Sequence, residues 1–410
     1  MTTTTTIDRR MLLGSTVAAA GAAGFSRRSR AQAKVVKLGV LNDQSGPYRD
    51  IGGLNGVAAV KQAVAEFAPD FKVEIVAADH QNKPDIGIGI ARQWFDRDGV
   101  DIILDVPTSS VALAVNSVCK EKNKVYINTG AATADLTGVQ CAPSTIHWSY
   151  DTYMLAKSTG GAMVQAGGDK WYFVTADYVF GQQLQRDTTG FVTGAGGKVV
   201  GASPYPFPGT TDFSSFLISA QASGANVLGL ANAGADTVNS IKQAAEFGLT
   251  KKMKVAALLM FINDVHGLGL EAAQGLFLTE SFYWDMTDRS RAFAKRFQAF
   301  MPGVQPNMTN AANYAGALHF LKAVKSIGFA NAGDGAAVVA KMKTIPTQDD
   351  CFGAGSIRAD GRKIHPSYLF EVKKPSESKY PWDYYKKIVE TPADKAFKPL
   401  AQGGCALVKA

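Results

Sequence analysis

Histidine and cysteine are both scarce in this chain of 410 residues, which contains five histidines and four cysteines. No two histidines are four residues apart, and neither an HExxH nor a GxSxG motif is present. These absences argue against the common metal-dependent and serine hydrolases. The sequence therefore predicts a protein that is not an enzyme and that needs neither a metal ion nor a cofactor.

The cysteines are widely spaced and contain no CxxC pair, which argues against a structural zinc site or thioredoxin-like chemistry. In an oxidising compartment they would form one or two disulfides, and the sequence leaves their connectivity open. Four buried free thiols are the alternative. The residues concerned are Cys119, Cys141, Cys351 and Cys405.

Long apolar runs are also missing, apart from a short one near the N-terminus. Arg9-Arg10 precede the apolar stretch Met11–Phe25, and Ala31-Gln32-Ala33 follows a second basic patch. At 1.5 Å per residue that stretch is too short to cross a hydrocarbon core of about 30 Å. This pattern predicts a twin-arginine-type signal peptide, residues 1–33, and export to the periplasm. No later segment has about 18 uncharged apolar residues, so we expect the exported protein to be soluble.

A strong excess of basic charge is lacking once the signal segment is set aside. Five arginines and one aspartate lie within residues 1–33, so the formal net charge falls from +8 to +4. The remaining lysines are scattered rather than arranged in a stripe, which argues against a nucleic-acid partner. Residues 34–410 exceed what one hydrophobic core usually holds, so two domains are expected.

Short apolar runs alternate with amphipathic stretches along the rest of the chain, beginning with Lys37–Leu41. Nearly all-apolar strands, each followed by a helix, are typical of parallel sheets covered on both faces. The sequence predicts an α/β fold of two doubly wound parallel-sheet lobes joined by a multi-strand hinge. Lobe 1 is expected over residues 34–149 and about 283–355, lobe 2 with hinge crossovers over 150–282 and about 356–400, and a tail over 401–410.

Five segments resemble, in order and spacing, the leucine/isoleucine/valine-binding group of type I periplasmic binding proteins of ABC transporters. These segments are Leu41–Tyr48, Thr108–Ser110, Gly130–Gly138, Asp177–Gly181 and Gly209–Ser214. The first and fourth look like the subgroup that binds aromatic acids. The resemblance implies a monomeric periplasmic binder that delivers a small solute to the membrane permease subunits of an ABC transporter. A ligand-presenting periplasmic sensor is the alternative.

Ligands of open α/β sheets lie beyond the carboxyl ends of the strands, which places several loops in the predicted cleft. Hydroxyl and backbone N–H donors at a helix N-terminus suit a carboxylate, although Ser109 and Ser110 could equally be helix caps. The aromatic residues of the second lobe offer apolar contact, although some could simply fill the core. The predicted ligand-binding residues are Tyr48, Ser109, Ser110, Ala131, Ala132, Thr133, Tyr178, Phe180, Asn232, Gly234 and Phe261.

One position departs from the amino-acid binders of the family, which use a carboxylate there to pair with the ligand ammonium. In this chain the position is Phe261. A desolvated ammonium without a partner is costly, so we expect a carboxylate ligand without an amine and with an aromatic or apolar body. Asp43, Asp236 and Asp264 could compensate, which keeps a branched-chain amino acid as the alternative.

Overall fold

The computed structural model describes residues 35–409, so the predicted signal peptide lies outside the described residues. The first sheet has five parallel strands in the order β2-β1-β3-β4-β5. The interior strand β1 carries Val36, Leu38 and Val40, all fully buried, as expected for a sheet covered on both faces. The strands are β1 (Val36–Asn42), β2 (Val73–Asp79), β3 (Ile102–Asp105), β4 (Val125–Asn128) and β5 (Thr145–His147).

Six helices pack around this sheet and complete the first lobe. Three of them follow strands of the sheet, and three come from a later part of the chain and return to pack against α1, β3 and β4. The helices are α1 (Gly53–Phe67), α2 (Pro84–Gln93), α3 (Ser109–Glu121), α10 (Asp288–Phe297), α11 (Met308–Ile327) and α12 (Gly335–Thr344).

The second sheet has seven strands in the order β14-β13-β10-β9-β8-β6-β7. Its first five strands in chain order are parallel, whereas β13 and β14 are antiparallel additions at one edge. The strands are β6 (Lys170–Ala176), β7 (Lys198–Tyr205), β8 (Val227–Ala231), β9 (Lys254–Ala257), β10 (Phe277–Glu280), β13 (Ser367–Val372) and β14 (Tyr385–Thr391).

The helices of the second lobe are α4 (Thr152–Gln165), α5 (Val179–Gly194), α6 (Ser214–Ala222), α7 (Ala235–Glu246), α8 (Ile262–Leu268), α9 (Leu270–Ala273) and the short α13 (Ala393–Ala396). A small hairpin of β11 (Thr347–Asp349) and β12 (Gly353–Gly355) precedes β13. The architecture confirms the predicted α/β fold with two parallel-sheet lobes. The antiparallel edge is a difference from the prediction. It arises because β13 enters the second sheet from the third crossover and runs opposite to β10, and β14 then pairs with β13.

The chain passes between the two sheets near Tyr150, near Phe282 and near Arg362. A buried ion pair joins the first and third of these crossovers, with Arg362 Nη1 3.1 Å from Asp151 Oδ2. Arg362 also donates to the carbonyl oxygen of Ser149 and stacks on Phe397, 4.3 Å from the ring centroid. The guanidinium therefore holds two crossovers and the C-terminal segment together.

A single disulfide is present in the described chain, between Cys141 and Cys405, and it fixes the C-terminal segment to the first lobe. Cys119 and Cys351 are buried free thiols. This settles the connectivity that the sequence left open. No helix within residues 35–409 is long and apolar enough to span a membrane.

Candidate functional site

A small pocket lies between the carboxyl ends of the two sheets, with an empty volume of about 230 Å³. Residues of both lobes line it, and none of them is charged. The lining residues are Tyr48, Ile51, Pro107, Gly130, Ala132, Tyr150, Tyr178, Phe180, Ala233 and Leu259. Four of the eleven predicted site residues are therefore brought together here: Tyr48, Ala132, Tyr178 and Phe180.

Helix α3 begins at Ser109, two residues after Pro107, which lines the pocket. Thr108 is the N-cap residue, but its hydroxyl donates to Asn82 Oδ1 and does not cap the helix. Ser109 is fully buried, and its Oγ has no hydrogen-bond partner among the described residues. The first N–H groups of a helix have no partner within it, so this end offers donors to an anion. Ser110 follows in the first turn and is half-buried.

The loop after β4 is held in place by its own hydrogen bonds. Asn128 accepts from the Ala131 N–H at 3.0 Å and donates to the Ala131 oxygen at 2.7 Å. Tyr150 donates to the Gly130 oxygen at 2.5 Å. The Thr133 hydroxyl accepts from the Asp135 N–H and caps a short 3₁₀ helix. Ala131 and Thr133 therefore shape the loop, while Gly130 and Ala132 face the pocket.

Aromatic rings form the contact between the lobes beside the pocket. The phenol oxygens of Tyr48 and Tyr178 are 2.6 Å apart, and burial raises the pKa of both well above the ordinary value. Phe207 stacks on Tyr178 with ring centroids 4.3 Å apart and on Tyr48 at 5.3 Å. The sequence analysis missed Phe207. Its position, just beyond the carboxyl end of β7, is the signal that could have indicated it.

The other predicted residues of the second lobe surround the pocket without lining it. Asn232 accepts from the Thr237 hydroxyl at 2.7 Å and donates to Ser240, which ties the end of β8 to α7. Gly234 has φ +60°. The N–H of the following residue, Ala235, donates to the backbone oxygen of Pro47 in the first lobe at 3.0 Å. Phe261 is fully buried and packs edge-on against Tyr150, 5.9 Å between centroids.

The three acids considered as partners for an ammonium are engaged elsewhere. Asp43 accepts from the N–H groups of Gly46 and Tyr48. Asp236 accepts from the Tyr205 hydroxyl at 2.8 Å, and Asp264 accepts from the Phe261 N–H at 2.9 Å. Burial raises the pKa of Asp236 to about 6 and that of Asp264 to about 7. None of the three lines the pocket.

Comparison with known proteins agrees with this architecture. Residues 35–379 match the periplasmic binding protein family. A periplasmic binding protein from Burkholderia mallei is 50% identical, with a TM-score of 0.87, covering 92% of this chain and 99% of that chain. A branched chain amino acid ABC transporter periplasmic ligand-binding protein from Burkholderia xenovorans LB400 is 40% identical, with a TM-score of 0.79. The match covers 91% of this chain and 99% of that chain.

A more distant structure shares the fold. It is an ABC transporter solute binding protein from R. palustris in complex with benzoate, 20% identical with a TM-score of 0.79, covering 88% of this chain and 97% of that chain. The family predicted from the five sequence segments is confirmed. The chain belongs to the periplasmic binding protein family.

Proposed function

We propose that this member of the periplasmic binding protein family is the substrate-binding component of an ABC transporter and captures a small aromatic carboxylate between its lobes. The observation that carries the proposal is the chemistry of the pocket. Its lining is apolar and aromatic and contains no carboxylate. The Ser109 hydroxyl, which has no partner among the described residues, lies at the start of α3, two residues after the pocket-lining Pro107.

The donors suit the acid end of the ligand. The N-terminus of a helix stabilises a negative charge by about 0.3–1 kcal/mol, and by up to about 2 kcal/mol in buried geometries. The Ser109 hydroxyl, buried without a partner, would gain a charge-assisted hydrogen bond to the ligand. A bound carboxylate therefore satisfies groups that the protein alone leaves unsatisfied.

The apolar part of the pocket suits an aromatic ring. Tyr48, Tyr150, Tyr178 and Phe180 present ring surface, and favourable ring pairs add about 0.5–1.5 kcal/mol beyond burial. The pocket is small, with about 230 Å³ of space not filled by atoms, which favours a compact ligand over a larger body. In the R. palustris protein the same fold holds benzoate.

An apolar amino acid is the second candidate, because the Burkholderia xenovorans relative is a branched chain amino acid transporter protein. Such a ligand would bring an ammonium group into a pocket lined by no acid, and the three acids considered from the sequence already accept hydrogen bonds elsewhere. Burying an unpaired ammonium is far more costly than burying an aromatic ring. The lining therefore favours the amine-free ligand.

The proposed mechanism is lobe closure, since a ligand that contacts both lobes favours the closed form over the open one. The monomeric, ligand-loaded protein then docks in the periplasm on the membrane permease subunits and releases the ligand chemically unchanged. ATP is hydrolysed by other subunits of the transporter.

A thermal-shift panel tests the proposal. It compares benzoate, 4-hydroxybenzoate, a phenylpropanoid acid and a 2-oxo acid with leucine, isoleucine and valine. Benzamide is the control, because it has the same ring without the negative charge. A ligand at 100 times its Kd adds about 2.7 kcal/mol to the free energy of unfolding. We expect the aromatic acids alone to raise the melting temperature strongly. A shift with the amino acids and none with the aromatic acids would show that the pocket has been misinterpreted.

A further inference from the structure

Asp105, the last residue of β3, packs against the pocket-lining Gly130. Its side chain is fully buried and packs against Gly52, Gly56 and Gly130. A Cβ atom at these glycines would be 2.8, 2.6 and 2.7 Å from the carboxylate oxygens, so any larger residue there would collide with Asp105. Gly130 also lines the pocket, so the carboxylate packs against a residue of the ligand site.

The surroundings of this carboxylate are polar but uncharged. Asn42 on β1 donates to Oδ2 at 3.1 Å, and Asn313 on α11 and Thr129 lie alongside. Oδ1 accepts no hydrogen bond from the described residues. No lysine, arginine or histidine of the described chain lies near enough to affect it. The titratable groups that face it are two phenols, Tyr126 on β4 and Tyr150 on the first crossover.

The backbone at this point is also unusual. Asp105 has φ +79° and Val106 has φ +58°, values that are rare for residues other than glycine and especially for a β-branched one. This strained pair connects β3 to Pro107, which lines the pocket, and then to the N-terminus of α3. Such strain persists where the surrounding structure enforces it, and it clusters at binding sites. The surrounding structure therefore holds both the backbone and the side chain of Asp105 in place next to residues of the ligand site.

A carboxylate ligand held at the start of α3 would approach a second carboxylate through Gly130. Two carboxylates at short range repel each other, and the repulsion is removed when one of them is protonated. Burial raises the pKa of Asp105 to about 6 despite the neighbouring Asn42, Asn313 and Thr129, which lower it, and an adjacent anion raises it further. The ligand acid has donors to hold it ionised, whereas Oδ1 of Asp105 is free to carry the proton.

We propose that Asp105 takes up a proton when the carboxylate ligand binds, so that capture of the anion is coupled to proton uptake. This inference rests on the proposed function. It makes affinity pH-dependent, because one proton taken up on binding lowers the Kd by up to tenfold for each unit by which the pH falls. The protein would load most readily in mildly acidic surroundings and release its ligand more easily as the pH rises.

Calorimetric titration with benzoate tests the coupling. Heats measured at pH 7 in two buffers of different ionisation enthalpy give the number of protons taken up, and a series from pH 5.5 to 8 gives the slope of the affinity. We expect close to one proton for the wild type and close to none for Asp105→Asn, whose affinity should stay flat with pH. Asp349→Asn, which alters a buried acid of the β11–β12 hairpin, should behave as the wild type.

Proton uptake near zero in the wild type, or an unchanged slope in Asp105→Asn, would overturn the proposal. If no carboxylate of the panel binds at any pH, the proposed function fails, and the inference is decided on the free protein. Carboxyl carbon NMR, with Asp105→Asn to assign the signal, then follows Asp105 from pH 4 to 9. A midpoint above pH 5.5 supports its capacity to hold a proton in the site, and a midpoint near the ordinary aspartate value of about 4 refutes it.

Discussion

The phenol oxygens of Tyr48 and Tyr178 meet across the cleft, 2.6 Å apart, although the two residues are 130 positions apart in the sequence. Tyr48 belongs to the loop after β1 of the first lobe, and Tyr178 precedes α5 of the second lobe. Both rings line the pocket. The hydrogen bond can exist only when the lobes are together, so it contributes to the closed form and not to the folding of either lobe.

Replacing Tyr48 with phenylalanine should therefore weaken ligand binding more than it affects stability. The change removes one hydroxyl and leaves the Tyr178 hydroxyl buried without its partner, at a cost of about 1 kcal/mol or more. We expect roughly fivefold weaker binding of benzoate by calorimetry. Tyr380→Phe is the control, since that exposed hydroxyl contacts Asp285 and does not line the pocket. Equal affinities for the two variants would count against a role of the hydroxyl pair in closure.

Gly234 allows the lobes to approach each other, and an alanine there should block closure. Its Cβ would lie 2.4 Å from the Pro47 oxygen of the opposite lobe, and its φ is +60°. Gly248→Ala is a matched control, because it has φ +69° and open space around it. Both variants should lose about 1 kcal/mol of stability from the backbone conformation.

Only Gly234→Ala should also bind benzoate at least tenfold more weakly, because the clash arises in the closed form alone. Small-angle scattering at saturating benzoate provides the second measurement. The radius of gyration should fall for Gly248→Ala and stay at its ligand-free value for Gly234→Ala. If Gly234→Ala compacts normally, the close approach to Pro47 is not needed for binding.

Ser109 should matter to the ligand and not to the fold. Its hydroxyl is buried without a partner, so Ser109→Ala removes an unsatisfied group, and the ligand-free melting temperature should stay equal or rise. Loss of a hydrogen bond to a charged carboxylate costs about 1.5–3 kcal/mol, which corresponds to roughly 10- to 150-fold weaker binding. Ser117→Ala on the same helix is the control, since its hydroxyl only contacts the Leu113 carbonyl. An unchanged benzoate affinity in Ser109→Ala would remove this serine from the site.

The fold and four of the ten pocket-lining residues follow from local sequence patterns. Each apolar strand with its following helix can be identified within about 30 residues of chain, and the rule that ligands lie beyond strand ends indicates the loops that line the pocket. Tyr48 and Tyr178 could be singled out because an aromatic residue in such a loop has little local reason to be there, and Phe180 follows Tyr178 in the first turn of α5. These predictions needed no knowledge of contacts between distant segments.

The rest of the site depends on such contacts. Tyr150 lies on a crossover, and its contacts with distant segments, including the hydrogen bond to Gly130, bring it to the pocket. Ala233 and Leu259 are small or aliphatic residues at strand ends, and their sequence context is the same as that of core residues. Phe261 is the opposite case. Its position after a strand end predicted a place in the cleft, but its ring does not line the pocket and packs against Tyr150. The disulfide joins residues separated by 264 positions, a distance over which no local pattern carries information.

The contribution of three buried acids to the stability of the ligand-free protein should fall as the pH rises from about 4 to 7. Burial raises the pKa of Asp105 and Asp236 to about 6 and that of Asp264 to about 7, whereas unfolded aspartates titrate near 3.9. Below about pH 4 these groups are protonated in both states and have no effect. Above that, the unfolded state loses the protons first, so the folded state becomes relatively less stable until the pH passes the folded pKa.

Each of the three acids should contribute on the order of 1–3 kcal/mol, since one pKa unit corresponds to about 1.4 kcal/mol. Asp264→Asn removes one of these contributions and keeps an oxygen for the Phe261 N–H. The free energy of unfolding at pH 8 minus that at pH 5, from denaturant titrations, should therefore be more positive for this variant than for the wild type. Asp85 is exposed, so Asp85→Asn is the control and should leave that difference unchanged. An identical pH dependence in Asp264→Asn would mean that this acid is ionised in the folded protein at pH 5, and that burial does not control it.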